Sequence, residues 1–248
     1  MKHIRVSMSH DFKRQTPGIQ PNIENVRPVL RVMPKWMRDM PLWGGDGTVG
    51  TYDDGKSIPT MKFCMPVLDA LTVGYVITLA EDVVVTRTED GVSFTCTPSL
   101  VSGHGPMQIP DYPIPKGYDE VIHKWNCDYI LSAPRGYSIL WVNPLHRHEL
   151  PFYCLPGIVD TDRFNAMSVN FPFVLKEGWT GTIPKGTPII QAIPFKRHRW
   201  GLREGVIGAR KYHRFEWKYK GRPEKPKTLR LYQTGFRTKK IFKGFGKD

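Results

Sequence analysis

No stretch of this chain approaches the ~20 consecutive apolar residues that a helix needs to cross a bilayer. The first fifteen residues, MKHIRVSMSHDFKRQ, lack the apolar core of a secretory signal. Together these absences leave a soluble intracellular protein as the expectation, with no membrane partner. The four cysteines, Cys64, Cys96, Cys127 and Cys154, form no C-x-x-C pair, which argues against a zinc knuckle. Without a secretory signal they are expected as reduced thiols, buried as small apolar groups. No internal repeat is visible, and no zinc finger or ribonucleoprotein strand marks a known nucleic-acid module.

Acids are scarce at one end only. Residues 196–248 hold 18 of the 36 Lys and Arg but 4 of the 23 Asp and Glu, a net charge of +14. The first 195 residues carry a net charge of −1, so a nearly neutral body bears a basic end. An excess of that size predicts an acidic or polyanionic partner more than a solvated rim. Aromatic residues interleave the basic ones, and the run RKYHRFEWKYK can alternate as a strand. Within it Arg210, Lys211, Arg214, Trp217, Lys218 and Lys220 are the candidate contacts to a nucleic acid or an acidic protein.

The 22 prolines and 23 glycines are spread along the chain, which favours short strands and turns over long helices. Residues 1–30 read as a polar arm. Pro34–Trp43 reads as one or two helical turns with Trp36, Met37, Met40 and Trp43 on a sticky face, and Pro66–Gly74 as a short helix ended by glycine. Gly44–Gly47 and Asp53–Gly55 are turn signals. Strands are predicted at 75–79, 83–87, 92–96, 128–132 and 137–142, with Glu89-Asp90-Gly91 as a hairpin turn and 101–120 as a loop.

The richest block is 155–197, with two acids, Asp160 and Asp162, between glycine turns. A carboxylate pair there can activate water or hold a metal, or it can bond turn N–H groups; the structural role is the favoured one. His146 and His148 form an H-x-H pair followed by Glu149, which on a strand would set both rings on one face. A divalent metal there is considered but not favoured. His104 and His123 are further candidates for the same centre.

Gly157-Ile158-Val159-Asp160-Thr161-Asp162 resembles the motif with which trimeric dUTPases present a water-activating aspartate. Lys185–Ile193 is similar to the strand that closes the fold in dUTPases and dCTP deaminases, and Pro134-Arg135-Gly136-Tyr137 to their P-x-G-Y turn. The resemblance implies a β-clip fold, with Asp160 as the base. Arg163 stands where the uracil-stacking tyrosine belongs, Asn165 replaces a glycine, and Asn143–His148 replaces the phosphate-binding Arg-Ser motif. It therefore implies the fold more than dUTP hydrolysis. Gly178–Gly186 also fits the second cupin motif, but Ile189 occupies the place of its histidine. The block, with its Pro194-Phe195-Lys196-Arg197 ending, further resembles an uncharacterised family from tailed phages and some bacteria. That resemblance runs from about Pro34 to the C-terminus, and implies a host-cytoplasmic or virion location without an assigned activity.

The expectation is thus a mainly β protein, a β-clip or jelly-roll barrel or sandwich. An arm with a short helical segment occupies 1–60, the core 61–197 and a basic aromatic extension 198–248. The leading function is non-enzymatic binding or assembly through a protein partner or self-association, with a polyanion as the alternative partner. A nucleotide-directed or metal-dependent enzyme and a small-ligand regulatory module are the competing functions.

Overall fold

In a computed structural model the chain is described over residues 2–8, 23–44, 59–89, 91–97, 100–105, 110–222, 225–226, 238 and 240–243. It is mainly β. The strands are β1 (Arg5–Met8), β2 (Val26–Pro28), β3 (Tyr75–Thr78), β4 (Val83–Thr88) and β5 (Gly91–Thr95). There follow β6 (Val101–Gly103), β7 (Tyr118–Trp125), β8 (Tyr129–Ser132), β9 (Tyr137–Val142) and β10 (Phe152–Cys154). The rest are β11 (Gly157–Val159), β12 (Phe171–Lys176), β13 (Gly181–Ile183), β14 (Pro188–Lys196), β15 (Gly221–Arg222) and β16 (Lys225–Pro226). Among the described residues the α-helices are α1 (Lys35–Asp39), α2 (Met65–Ala70) and α3 (Ala209–Lys220), with short 3-10 turns at Ile23–Asn25, Val29–Val32 and Met61–Phe63. None is long and apolar enough to cross a membrane.

Two compact units emerge, one formed by Met1–Val32, Val73–Arg197 and Phe242–Asp248, the other by Met33–Thr72 and His198–Ile241. In the first, one sheet has the order β11-β9-β14-β3-β2 and another the order β10-β12-β7-β6, with all described pairings antiparallel. β14 lies at the centre of its sheet and is covered on both faces, which explains its unbroken buried run from Pro188 to Ala192. β4 has one buried face, so Val83 and Val85 turn in while Val84 and Thr86 turn away.

The two sheets share one core. Trp125 of β7 stacks on Phe173 of β12 at 4.3 Å between ring centroids, and Phe152 of β10 meets both edge-on. Trp141 of β9 reaches Phe171 of β12 at 4.8 Å, joining one sheet to the other. Full burial of a side chain such as Phe173 stabilises by about 1.5–3 kcal/mol. Gly74 precedes β3 at φ +79°, and a Cβ there would lie 2.1 Å from the Ala192 carbonyl oxygen. Only glycine lets β14 approach so closely.

Several expectations are corrected. β7 begins inside the stretch read as a loop and runs on to Trp125. Its mixed sequence, YDEVIHKW, hides the alternation that puts His123 and Trp125 in the core. The N-terminal arm supplies β1, paired with β8, and β2, paired with β3. RKYHRFEWKYK is helical, not a strand: its Arg, Lys and Glu are good helix formers, and its period-2 pattern does not exclude the helical period. Cys127 and Cys154 are buried thiols, but Cys64 is exposed. The Glu89-Asp90-Gly91 hairpin is present as β4 paired with β5, closed by Thr88 opposite Gly91.

In the second unit, Pro34 starts α1 with Met37 buried. Trp43 packs on Phe63 at 4.9 Å, and Lys240 pairs with Asp69 at 2.7 Å. The turn signals at 45–47 and 53–55 and the Gly244-Phe245-Gly246 run lie outside the described residues.

Candidate functional site

The two acids of the 155–197 block come together on one arginine. β11 ends at Val159, and the chain turns so that the N–H groups of Arg163 and Phe164 both donate to the Asp160 carbonyl at 2.8 Å. Arg197, just past the end of β14, reaches Asp160 at 3.0 Å and Asp162 at 2.9 and 2.5 Å. Its guanidinium also donates to the Ser138 hydroxyl at 3.0 Å and the Tyr137 carbonyl at 3.1 Å. Asp162 accepts in addition the Gly136 N–H at 2.7 Å, and Asp160 the Ser138 hydroxyl at 2.6 Å. The Pro134–Tyr137 turn, with Gly136 at φ +84°, is thereby fastened to the acid turn.

The two carboxylates differ in use. Asp162 has a side chain 5% exposed and every observed bond is structural. The Arg197 guanidinium and the Gly136 N–H hold its carboxyl down to about 2. Asp160 is 48% exposed, and the Ser138 hydroxyl, then Arg197, hold it below the usual carboxylate range. A base depressed in this way is weak at neutral pH, since general-base catalysis favours a value near the working pH. The pair acts first as a clamp between the end of β14, the 134–137 turn and the turn after β11.

The histidines do not gather. His146 and His148 occupy a turn after β9, not a strand, with His146 at φ +56° and ring centroids 6.4 Å apart. Arg147 between them pairs with Glu149 and donates to the Val32 carbonyl at 3.0 Å. His123 sits in the core between Phe94 and Phe173, 4.8 and 5.6 Å away, and burial pushes its imidazole down. His104 lines a cleft of about 550 Å³ with Tyr112, Glu120 and Ile122. Among the described residues no three His, Cys, Asp or Glu side chains form a group able to hold a metal ion. Ile189, at the cupin histidine's place, is core, its carbonyl 3.0 Å from the Cys154 thiol.

The basic candidates lie on α3. Arg210, Lys211, Arg214 and Trp217 are exposed, with Tyr212 and Phe215 more than half exposed beside them. Lys218 and Lys220 fall in the last turn, where side chains are not described. At the N-terminal end of the helix Arg210, Lys211 and Arg214 line a cleft of about 620 Å³ with Gly208 and Ala209. The preceding segment exposes Trp200, Leu202, Val206 and Ile207.

Arg197 and Ser138 were not foreseen as partners of the acids. The only signal in the sequence is an arginine at the end of the closing strand and a hydroxyl one residue past the P-x-G-Y turn. No protein-family model matches the chain, and no curated protein matches it.

Proposed function

We propose that this chain is a non-enzymatic binding protein whose basic, aromatic C-terminal region engages a polyanion, single-stranded nucleic acid in the first instance. The observation that carries this reading is the cleft at the start of α3, lined among the described residues by three cations and no acid. A helix N-terminus adds free N–H groups and the positive end of its dipole to those charges. Exposed Tyr212, Phe215 and Trp217 offer flat surfaces on which bases stack, and the phosphate backbone supplies the charge. The resemblance to a tailed-phage family is compatible with a binding or assembly role in the host cytoplasm or the virion.

A second reading, assembly with a protein partner or another copy, is favoured by the exposed apolar segment. Trp200 is 88%, Leu202 104% and Val206 98% exposed, an unusual amount of apolar surface left in water. Hydrolysis led by Asp160 ranks below both, because that carboxylate is already engaged by Ser138 and Arg197.

Fluorescence anisotropy of a labelled 20-nucleotide single strand against the full chain tests the leading reading. Binding that weakens at least tenfold in the Arg210→Gln/Lys211→Gln/Arg214→Gln variant is expected. Equal binding by the variant, or none by the parent, refutes it; a concentration-dependent rise in mass lost in Leu202→Ser/Val206→Ser selects assembly.

A further inference from the structure

We propose a ligand site separate from α3: a cleft beside β1 and β8 that takes a small oxyanion, specifically a phosphomonoester. β1 pairs with β8 so that Arg5 stands opposite Ser132 and Ser7 opposite Ile130. Residues directly opposite in an antiparallel pair project to the same side, and alternation puts Arg5 and Ser7 together. Val6 and Leu131, on the other side, join the core. The outward side forms one wall of a cleft of about 460 Å³ lined by His3, Arg5, Ser7, Ser132, Pro134 and Asn165. A guanidinium, an imidazole, two hydroxyls and a side-chain amide thus face one space.

The charge balance selects an anion. Among the described residues no carboxylate lines the cleft, and none pairs with Arg5 or His3. Asp162, the acid nearest in sequence to its rim, and Asp160 are already held by Arg197. Lys2, one residue before His3, has its ammonium 6.0 Å over the Tyr137 ring, adding positive charge at the same corner. Arginine is the side chain best matched to a phosphate's two oxygens, and the Ser7 hydroxyl adds a further donor.

The walls are fastened by the acid clamp. Asn165 donates to the Asp162 carbonyl at 3.0 Å, and Ser132 donates to the Asn165 carbonyl at 3.4 Å. Gly136, two residues past Pro134, is tied to the Asp162 carboxylate. The residues that resemble a catalytic motif therefore shape a neighbouring donor-lined cleft. Its volume lies in the range of small-molecule sites and exceeds a bare phosphate, so the rest of the ligand rests on Ala133 and Pro134.

The test is titration of the ¹⁵N-labelled full chain, followed by amide NMR, with inorganic phosphate, adenosine monophosphate and adenosine. Saturable shifts at residues 5–7 and 132–134 with the two phosphates, and none with adenosine, are expected. Arg5→Gln is expected to weaken binding about tenfold, as loss of one charge-assisted contact does. Ser7→Asp, at an exposed position, is expected to abolish it, while Thr182→Asp on β13 leaves it unchanged. Tighter binding of adenosine monophosphate than of phosphate assigns a free small molecule. Tightening seen only with a 5′-phosphorylated over a 5′-hydroxyl oligonucleotide assigns a strand end. No saturable shift up to about 20 mM phosphate, typical of the weakest specific contacts, overturns the proposal, as does binding unaltered in both Arg5→Gln and Ser7→Asp. The α3 triple variant leaves the phosphate titration unchanged, so the two sites stand or fall separately.

Discussion

Replacing Gln191 by leucine tests how the closing strand holds its neighbours. Gln191 is fully buried at the centre of β14; its amide oxygen accepts the Leu145 N–H at 2.9 Å and its amide nitrogen donates to the Val73 carbonyl at 2.8 Å. Both partners are backbone groups in connecting segments, with no strand ladder of their own to fall back on. Leucine keeps the bulk and removes both bonds. A buried backbone group left unpaired costs about 1–3 kcal/mol, so two cost about 2–6 kcal/mol, partly offset by the apolar gain of leucine. A net loss of about 3 kcal/mol is a large share of the ~5–15 kcal/mol that holds a typical domain. With a urea dependence of about 3 kcal/mol per molar, the midpoint falls by about 1 M. Urea unfolding followed by tryptophan fluorescence, which reports the buried Trp125 and Trp141, measures it. A midpoint shift under about 0.2 M would mean that both groups find other partners at no cost and that Gln191 does not hold the two segments.

Three further outcomes follow from particular contacts. Gly74→Ala sets a Cβ against the Ala192 carbonyl at a left-handed φ and is expected to destabilise by more than about 2 kcal/mol, read by thermal unfolding. Asp162 has its carboxyl lowered to about 2 from an ordinary value of 3.8, so its stabilisation is complete above pH about 4 and fades as pH falls towards 2. The melting-temperature gap between parent and Asp162→Asn should therefore be widest near neutrality and close between pH 4 and 2; a gap constant across that window contradicts the clamp. Under native conditions a maleimide should label Cys64 quickly and Cys96 slowly, while Cys127, pushed up to about 12 by burial, and Cys154 react only on unfolding.

The legible parts of the fold were those where local chemistry and tertiary role agree. The β3–β5 strands alternate or run apolar, and Gly91 marks the β4–β5 hairpin; Pro188–Ala192 is apolar but for Gln191 because its strand is central. β7 was hidden because its inward residues are a histidine and a tryptophan among charges, and β1 because four polar-spaced residues become a strand only when β8 is beside them. The α3 segment misleads because basic and aromatic residues alternate at period 2 yet also sort into stripes at the helical period. For the site, the sequence showed two acids and not their owner. Arg197 lies 35 residues from Asp162 in sequence, and only the pairing of β14 with β9 brings it to the turn after β11.

The salt dependence of oligonucleotide binding is the sharpest measure of whether Arg210, Lys211 and Arg214 contact phosphates. Three phosphate contacts from Arg210, Lys211 and Arg214 give a log–log slope of about −2 for a single strand, or roughly a twentyfold loss of affinity between 50 and 200 mM salt. The parent chain is expected to show that slope, and the Arg210→Gln/Lys211→Gln/Arg214→Gln variant one shallower by about 2. A slope unchanged by removing those three charges would contradict those contacts.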